Sequence, residues 1–251
     1  MFSNNSTALE YKMSPGELLR YRSTVSSQQT IKEEGQEPQK MGSSLEIVMG
    51  QAVRAVHNGV ADIDVTIESG SITHDQDELP LDTVGQKISM QMKRNGDVVS
   101  TSVDFPFSQP SFPERPLKPG DTWNNTNKMN VPIGENGETK SVDLVYKYTL
   151  TKFDHINGYD VAVINITCPP VTIDLQPDAR QTIQAEGCTN FAHAQGRLVS
   201  STVHTHTEVD VPETSITTDI RVSVELLDAS NTSDSNANTF GQSDELFIIG
   251  T

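Results

Sequence analysis

Cysteine occurs twice in this chain, tryptophan once, aromatic residues amount to 6%, and no apolar run approaches the length of a membrane-crossing helix. Each shortage excludes something. Without about 18 consecutive apolar residues no helix spans a bilayer, so no transmembrane segment is expected. At 34% hydrophobic residues the chain is poor in the side chains that fill a compact enzyme core. Thr, Ser and Val are abundant and alternate along it, the composition of partly solvated β-sheet. Basic residues are also few: 18 Lys and Arg against 34 Asp and Glu leave a formal net charge of -16. Nucleic-acid binding depends on Lys and Arg displacing condensed counterions, and here they form no stripe. The charge suits solubility, divalent cations or basic partners and repels anionic membranes.

Motifs of covalent and phosphate chemistry are missing too. There is no Gly-x-Ser-x-Gly, no glycine-rich phosphate loop and no cysteine plausibly paired with a histidine. A non-enzymatic protein is the expectation, with no cofactor beyond a divalent metal at the site described below. No stretch sustains a 3.6-residue apolar period, so helices are not expected. The opening Met1 to Ser6 is polar and shows no signal peptide. Few cysteines, little Lys and much Thr and Ser favour an exported, extracytoplasmic chain whose signal has been removed.

The two cysteines, Cys168 and Cys188, bound a segment of about twenty residues. A disulfide of that loop length stabilises by roughly 3 kcal/mol in the chain-entropy model. The spacing favours a disulfide over two buried thiols, and a lone pair this far apart is a poor metal site.

What is present is alternation. Leu18 to Ile31 reads as a long strand, Lys32 to Gly42 as a solvated turn, and Leu45 to Val56 as a second strand ending at the hairpin signal Asn58-Gly59. Ile63, Val65 and Ile67 then alternate with Asp64 and Thr66, one face apolar and one polar. Ser71 to Gly85 is polar, Lys87 to Arg94 is strand-like, and a second Asn-Gly turn at Asn95-Gly96 leads into Asp97 to Asp104. Five prolines between Phe105 and Pro119 forbid both helix and ladder, which makes this passage an extended crossover anchored by Phe105, Phe107 and Phe112.

Beyond the crossover the pattern repeats. Asn157-Gly158 falls 99 positions after Asn58-Gly59, and at that offset Ala162, Ile164 and Ile166 replace Ile63, Val65 and Ile67. Gln195-Gly196 falls 100 positions after Asn95-Gly96. Pro119-Gly120-Asp121 echoes Pro15-Gly16-Glu17. Nearly constant spacing with preserved face polarity points to an internal duplication. The expected organisation is an N-terminal arm over 1–10, a first β repeat over 11–104, a proline-rich crossover over 105–121, a second β repeat over 122–228, and a flexible linker with a C-terminal apolar strand over 229–251. The fold class is all-β: two repeated antiparallel meanders forming a curved open sheet, a half-barrel or a pair of packed sheets.

Several residues are candidates for function. Ile63, Val65, Ile164 and Val222 are expected to line an apolar concave face that takes up an apolar or lipid-like ligand. On a strand, His204, His206, Glu208 and Asp210 share one face, and a His-x-His pair chelates zinc or copper. His193 is a candidate further ligand. The competing reading, a solvated polar face, is preferred, because the repeat places Asp104 where His204 stands. Leu246, Phe247, Ile248 and Ile249 form a terminal apolar strand, which either folds onto its own sheet or joins copies of the chain by strand exchange. Asp121 is read as a turn-capping residue and Trp123 as a core plug at the junction of the halves.

The segment Phe112-Pro113-Glu114-Arg115-Pro116-Leu117-Lys118-Pro119-Gly120-Asp121-Thr122-Trp123 resembles the signature of a family of duplicated, β-rich bacterial proteins, mostly exported and of unknown function. Tyr21-Arg22-Ser23 and the Gly35-Gln36 and Gln39-Lys40-Met41 turn share the likeness, which covers about residues 9 to 228. The resemblance implies export and a duplicated β fold, and assigns no chemistry. At fold level the pattern is also similar to the half-barrels of periplasmic lipoprotein carriers, although no lipobox cysteine stands near the start. Three functions follow in order of preference: ligand binding on a concave sheet, assembly by terminal strand exchange, and metal binding through the His-x-His strand.

Overall fold

The computed structural model describes residues 6–74, 77–102, 109–133 and 138–231. Every regular element in them is a strand. The first run comprises β1 (Glu17–Glu33), β2 (Gln39–His57), β3 (Val60–His74), β4 (Asp77–Pro80), β5 (Lys87–Lys93) and β6 (Val98–Thr101). The second comprises β7 (Thr122–Ile133), β8 (Glu138–Ile156), β9 (Tyr159–Gln176), β10 (Ala179–Ala192), β11 (Arg197–Val211) and β12 (Thr214–Asn231).

All twelve strands belong to one sheet, in the order β6-β5-β3-β2-β1-β12-β11-β10-β9-β8-β7, with β4 pairing to the far part of β3. Every ladder is antiparallel. The sheet is open, since no ladder joins β6 to β7. Of the architectures compatible with the sequence, a pair of packed sheets is therefore not formed. The first and last described strands sit side by side at the centre, β1 pairing with β12 along its whole length from Glu17↔Asn231 to Glu33↔Thr214.

Short Asn-Gly connections fold where the sequence placed them. Asn58 and Gly59 join β2 to β3 with φ of 52° and 79°, and Asn157 and Gly158 join β8 to β9 with φ of 51° and 82°. Two positive φ values in succession suit the type I′ turn that matches strand twist. The strands run further than their apolar alternation: β2 begins at Gln39 and β3 continues to His74, where β4 folds back onto it. These extensions are rich in Ser, Thr and Gln, so they hydrogen-bond as strands without a periodic apolar signal.

Alternation gives the sheet one apolar face, and curvature folds that face upon itself at one end. Met49, Ile63 and Met92 from the first run share a buried cluster with Tyr148, Leu150 and Ile164 from the second. Two extended segments seal this end. Thr7 exchanges backbone hydrogen bonds with Leu117, and Leu9, within the stretch read as a polar arm over 1–10, is buried together with Tyr11. Tyr11 donates its amide to the Arg94 carbonyl at 2.6 Å, Phe112 to Asn95 at 2.7 Å, and Lys12 to Gly196 at 3.0 Å.

These contacts run onto two glycine turns. A β-carbon at Gly96 would lie 2.5 Å from the Pro110 oxygen, and one at Gly196 would lie 2.4 Å from the Lys12 nitrogen; both residues also have positive φ. Only glycine permits the approach. Tyr11, Phe112 and Phe191 meet edge-on or stacked at 4.7–5.7 Å. Trp123 stacks on Tyr148 at 5.5 Å and donates its indole N–H to the Ser111 carbonyl at 2.9 Å. It joins the crossover to the second run, as its place in the sequence suggested. Asp121 accepts from the Lys118 amide and from Arg115, and Arg115 beside it holds its carboxyl below the usual carboxylate range. A part-buried ion pair, Arg197 to Glu17 at 2.8 Å, ties β11 to the start of β1.

The expected disulfide is not formed. Cys168 and Cys188 are free thiols. Cys168 stands opposite Ala185, whereas Cys188 stands opposite Asn165, three positions along the same ladder. An odd offset on a pleated pair sends the two side chains to opposite faces. Cys168 accordingly packs with Ile173, Ile183 and Leu144, and Cys188 against Val163 and Val199. A bridge cannot pass through a sheet. The assembly residues Leu246, Phe247, Ile248 and Ile249 and most of the expected 229–251 linker lie outside the described residues; Ala229 to Asn231 still belong to β12.

Two measurements test this account. Trp123→Ala removes a stacked indole and its hydrogen bond at the crossover, and should destabilise by about 3 kcal/mol in equilibrium denaturation; an unchanged midpoint would show that Trp123 does not hold the crossover to the sheet. Thiol titration of protein unfolded without reductant should find two free thiols per chain, and finding none would restore the disulfide.

Candidate functional site

The apolar face is filled at its sealed end and hollow beyond it. A cavity of ≈ 260 Å³ lies there, and every strand except β4 contributes to its wall. Tyr21, Met49, Val65, Met90 and Val98 come from β1, β2, β3, β5 and β6; Asn127, Tyr146, Ile166, Thr189, Val203 and Val222 come from β7 through β12. Residues at both extremes of an open sheet border one space because the sheet curls around it.

Register places these side chains together. Val25 opposes Val222, which opposes Val203, which opposes Gly187, which opposes Ile166, which opposes Tyr148. Gly187 thins the wall at the middle of this row: a β-carbon there would lie 2.5 Å from the Thr202 carbonyl oxygen. Of the four residues expected to line a ligand site, Val65 and Val222 border this cavity. Ile63 and Ile164 share their face but are fully buried beneath it in the packed cluster. Strand periodicity fixes the face a residue occupies and says nothing of depth, which depends on the two segments packed across the sealed end.

The wall includes polar groups that the sequence did not single out. Gln51, only 5% exposed, accepts a hydrogen bond from Gln109 Nε2 at 3.2 Å, and both residues border the cavity. Tyr21 donates its hydroxyl to the Leu198 carbonyl at 3.4 Å. Burial pushes the Tyr21 and Tyr148 phenols above their ordinary range. Gln51 lies two positions from Met49 and Val53 on the apolar face of β2, and a glutamine at a core-facing position was the available signal.

On the opposite face the His-x-His strand is assembled differently from a chelate. His204 and His206 do share a face, but Glu208 stands opposite Thr217 and Thr182 and is exposed. The carboxylate that joins the histidines is Asp219 of β12: its Oδ1 lies 3.3 Å from His204 Nε2 and 2.8 Å from His206 Nδ1. The His206 contact is the largest cause holding the Asp219 carboxyl below its ordinary value. His193 packs edge-on against Phe153 at 5.2 Å. It lies just past the end of β10, seven residues from Glu186, the partner of His204, roughly 23 Å away at strand rise. Among the described residues no three His, Cys, Asp or Glu side chains are grouped to hold a metal ion. Ser26, Gln28, Glu186, Thr202 and Arg221 border a solvated hollow together with His204 and Asp219.

A depressed native carboxyl adds stability above its unfolded value near pH 4, and the gain disappears as pH falls through the lower native value. Asp219→Asn should therefore lower the thermal midpoint slightly at neutral pH and flatten its loss below about pH 4, where the two proteins converge, a small effect for a half-exposed, salt-screened group. Parallel acid profiles for the two proteins in differential scanning calorimetry would show that this contact carries no native-state free energy.

No family model matches the chain, and no curated protein matches its sequence. Among solved structures it is similar to a lipovitellin determined for its lipid–protein interactions, at 12% identity and a TM-score of 0.50; the match covers 94% of this chain and 27% of that one. The chain thus spans about a quarter of that protein, and the likeness is one of fold. Much looser matches are DynF from the dynemicin biosynthesis pathway of Micromonospora chersina and the translocator domain of the autotransporter NalP from Neisseria meningitidis. The first has 7% identity, a TM-score of 0.24, and coverage of 88% of this chain and 85% of that one. The second has 10% identity, a TM-score of 0.21, and coverage of 86% of this chain and 90% of that one.

Proposed function

We propose that this protein is a non-enzymatic, extracytoplasmic binder of an apolar, lipid-like ligand, held in the hollow of a sheet made by two repeated halves. The observation that carries the reading is the cavity itself. A sheet open along β6 and β7 keeps a space lined by Met49, Val65, Met90, Ile166, Val203 and Val222 where a purely structural sheet would close its apolar face by packing. Unfilled apolar space forfeits contacts that close packing supplies, and a ligand restores them. The fold shared with a lipovitellin supports the reading at the level of architecture. The repeat is supported by the matching positions of the two Asn-Gly turns and by the paired bonds Gly16 N to Val53 O and Gly120 N to Leu150 O.

The test is binding of phenylnaphthylamine, a neutral apolar fluorophore, to protein freed of any co-purified lipid by organic extraction and refolding. Saturable fluorescence enhancement is expected. Val222→Asp places a carboxylate in the wall and should weaken it by about tenfold or more, because an unpaired charge is costly beside apolar surface. A refolded protein that gives no saturable enhancement would refute the proposal.

A further inference from the structure

Deepening that reading, and resting on it, we infer that the ligand is a neutral amphiphile: one short apolar chain bearing an uncharged hydrogen-bonding end such as a hydroxyl, ester or amide. Three features of the cavity specify this. Its volume, ≈ 260 Å³, falls just below the range of about 300–1,000 Å³ usual for drug-sized ligands, so a single short chain fits and a two-chain lipid does not. Among the described residues that line it, none is Asp, Glu, Lys, Arg or His. A fatty-acid carboxylate or a phosphate entering such a space would shed its hydration and meet no counter-charge.

The wall nevertheless is not plain hydrocarbon. The amides of Gln51 and Gln109 are hydrogen-bonded to each other at 3.2 Å in an otherwise apolar row, Gln51 between Leu19 of β1 and Val65 of β3. An amide has four hydrogen-bonding positions and this contact uses one of them on each partner. The Gln109 oxygen is buried and has no partner among the described residues. A buried polar group left unpaired is costly, and a built-in amide pair therefore marks the place where the ligand brings a complementary group. The carboxamide discriminates as well: it offers both donor and acceptor, which suits a hydroxyl and gives an alkane nothing.

Displacement of phenylnaphthylamine by decane, decanol and decanoate tests the inference, at about pH 8, where a carboxyl is ionised. Decanol should displace the probe at a concentration at least about fivefold below decane and about tenfold below decanoate. Gln51→Leu should bring decanol and decane together, since it removes the amide and keeps the volume; Gln109→Leu is the second variant should the first fail to fold. Equal potency of decane and decanol in the unaltered protein, decanoate as the best competitor, or a decanol preference that survives both substitutions would each overturn it while leaving apolar binding intact. Absence of probe binding would instead overturn the proposed function on which it rests.

Discussion

An open sheet with one apolar face has to cover that face, and most of this structure answers that requirement. The ladders satisfy the backbone of every interior strand whatever the side chains do. They do not hide Met49, Ile63, Tyr148 or Ile164 from water. Curling brings the two wings together at one end, and two extended segments finish the seal there. Those segments are short of hydrogen-bond partners of their own, which is why Tyr11, Lys12 and Phe112 give their amides to carbonyls at the β5–β6 and β10–β11 connections. The glycines at those connections follow from the same contact, because any side chain would hold the segments off.

The seal covers only part of the face. Toward the other end the row through Val25, Val222 and Val203 is flanked by Thr205 and Ser201, and the side chains there are partly exposed. The cavity lies at the boundary between these regimes, below the sealed end and above the solvated one. Its polar wall groups sit where packing is incomplete, while Ile63 and Ile164 are fully buried in the packed apolar cluster. The opposite face is mostly polar, interrupted where Cys188 packs against the buried Val163 and Val199. It is laced with exposed pairs such as Arg20 with Glu68 and Asp228, and Arg180 with Asp210, each contributing little singly in water. The sheet's outermost long strand, β7, has a Lys at 128 and a Pro at 132, residues that discourage another strand from adding to an edge.

What the sequence determined by itself was local: the absence of helix, the strands and their faces, the two Asn-Gly turns, the capping role of Asp121 and the place of Trp123. Each follows from interactions between residues close in the chain, a period of two or the φ preference of one residue. The depth of Ile63 against Val65, the burial of Leu9 in a stretch that reads as a polar arm, and the bridging of two histidines by Asp219 were decided only by tertiary structure. So was the separation of Cys168 from Cys188, since a loop of suitable length says nothing about which side of a pleated sheet each thiol faces. The physical reason is common to all four: they depend on which strands become neighbours and on their register, and the pairing of β1 with β12 joins residues some two hundred positions apart that no short-range pattern connects.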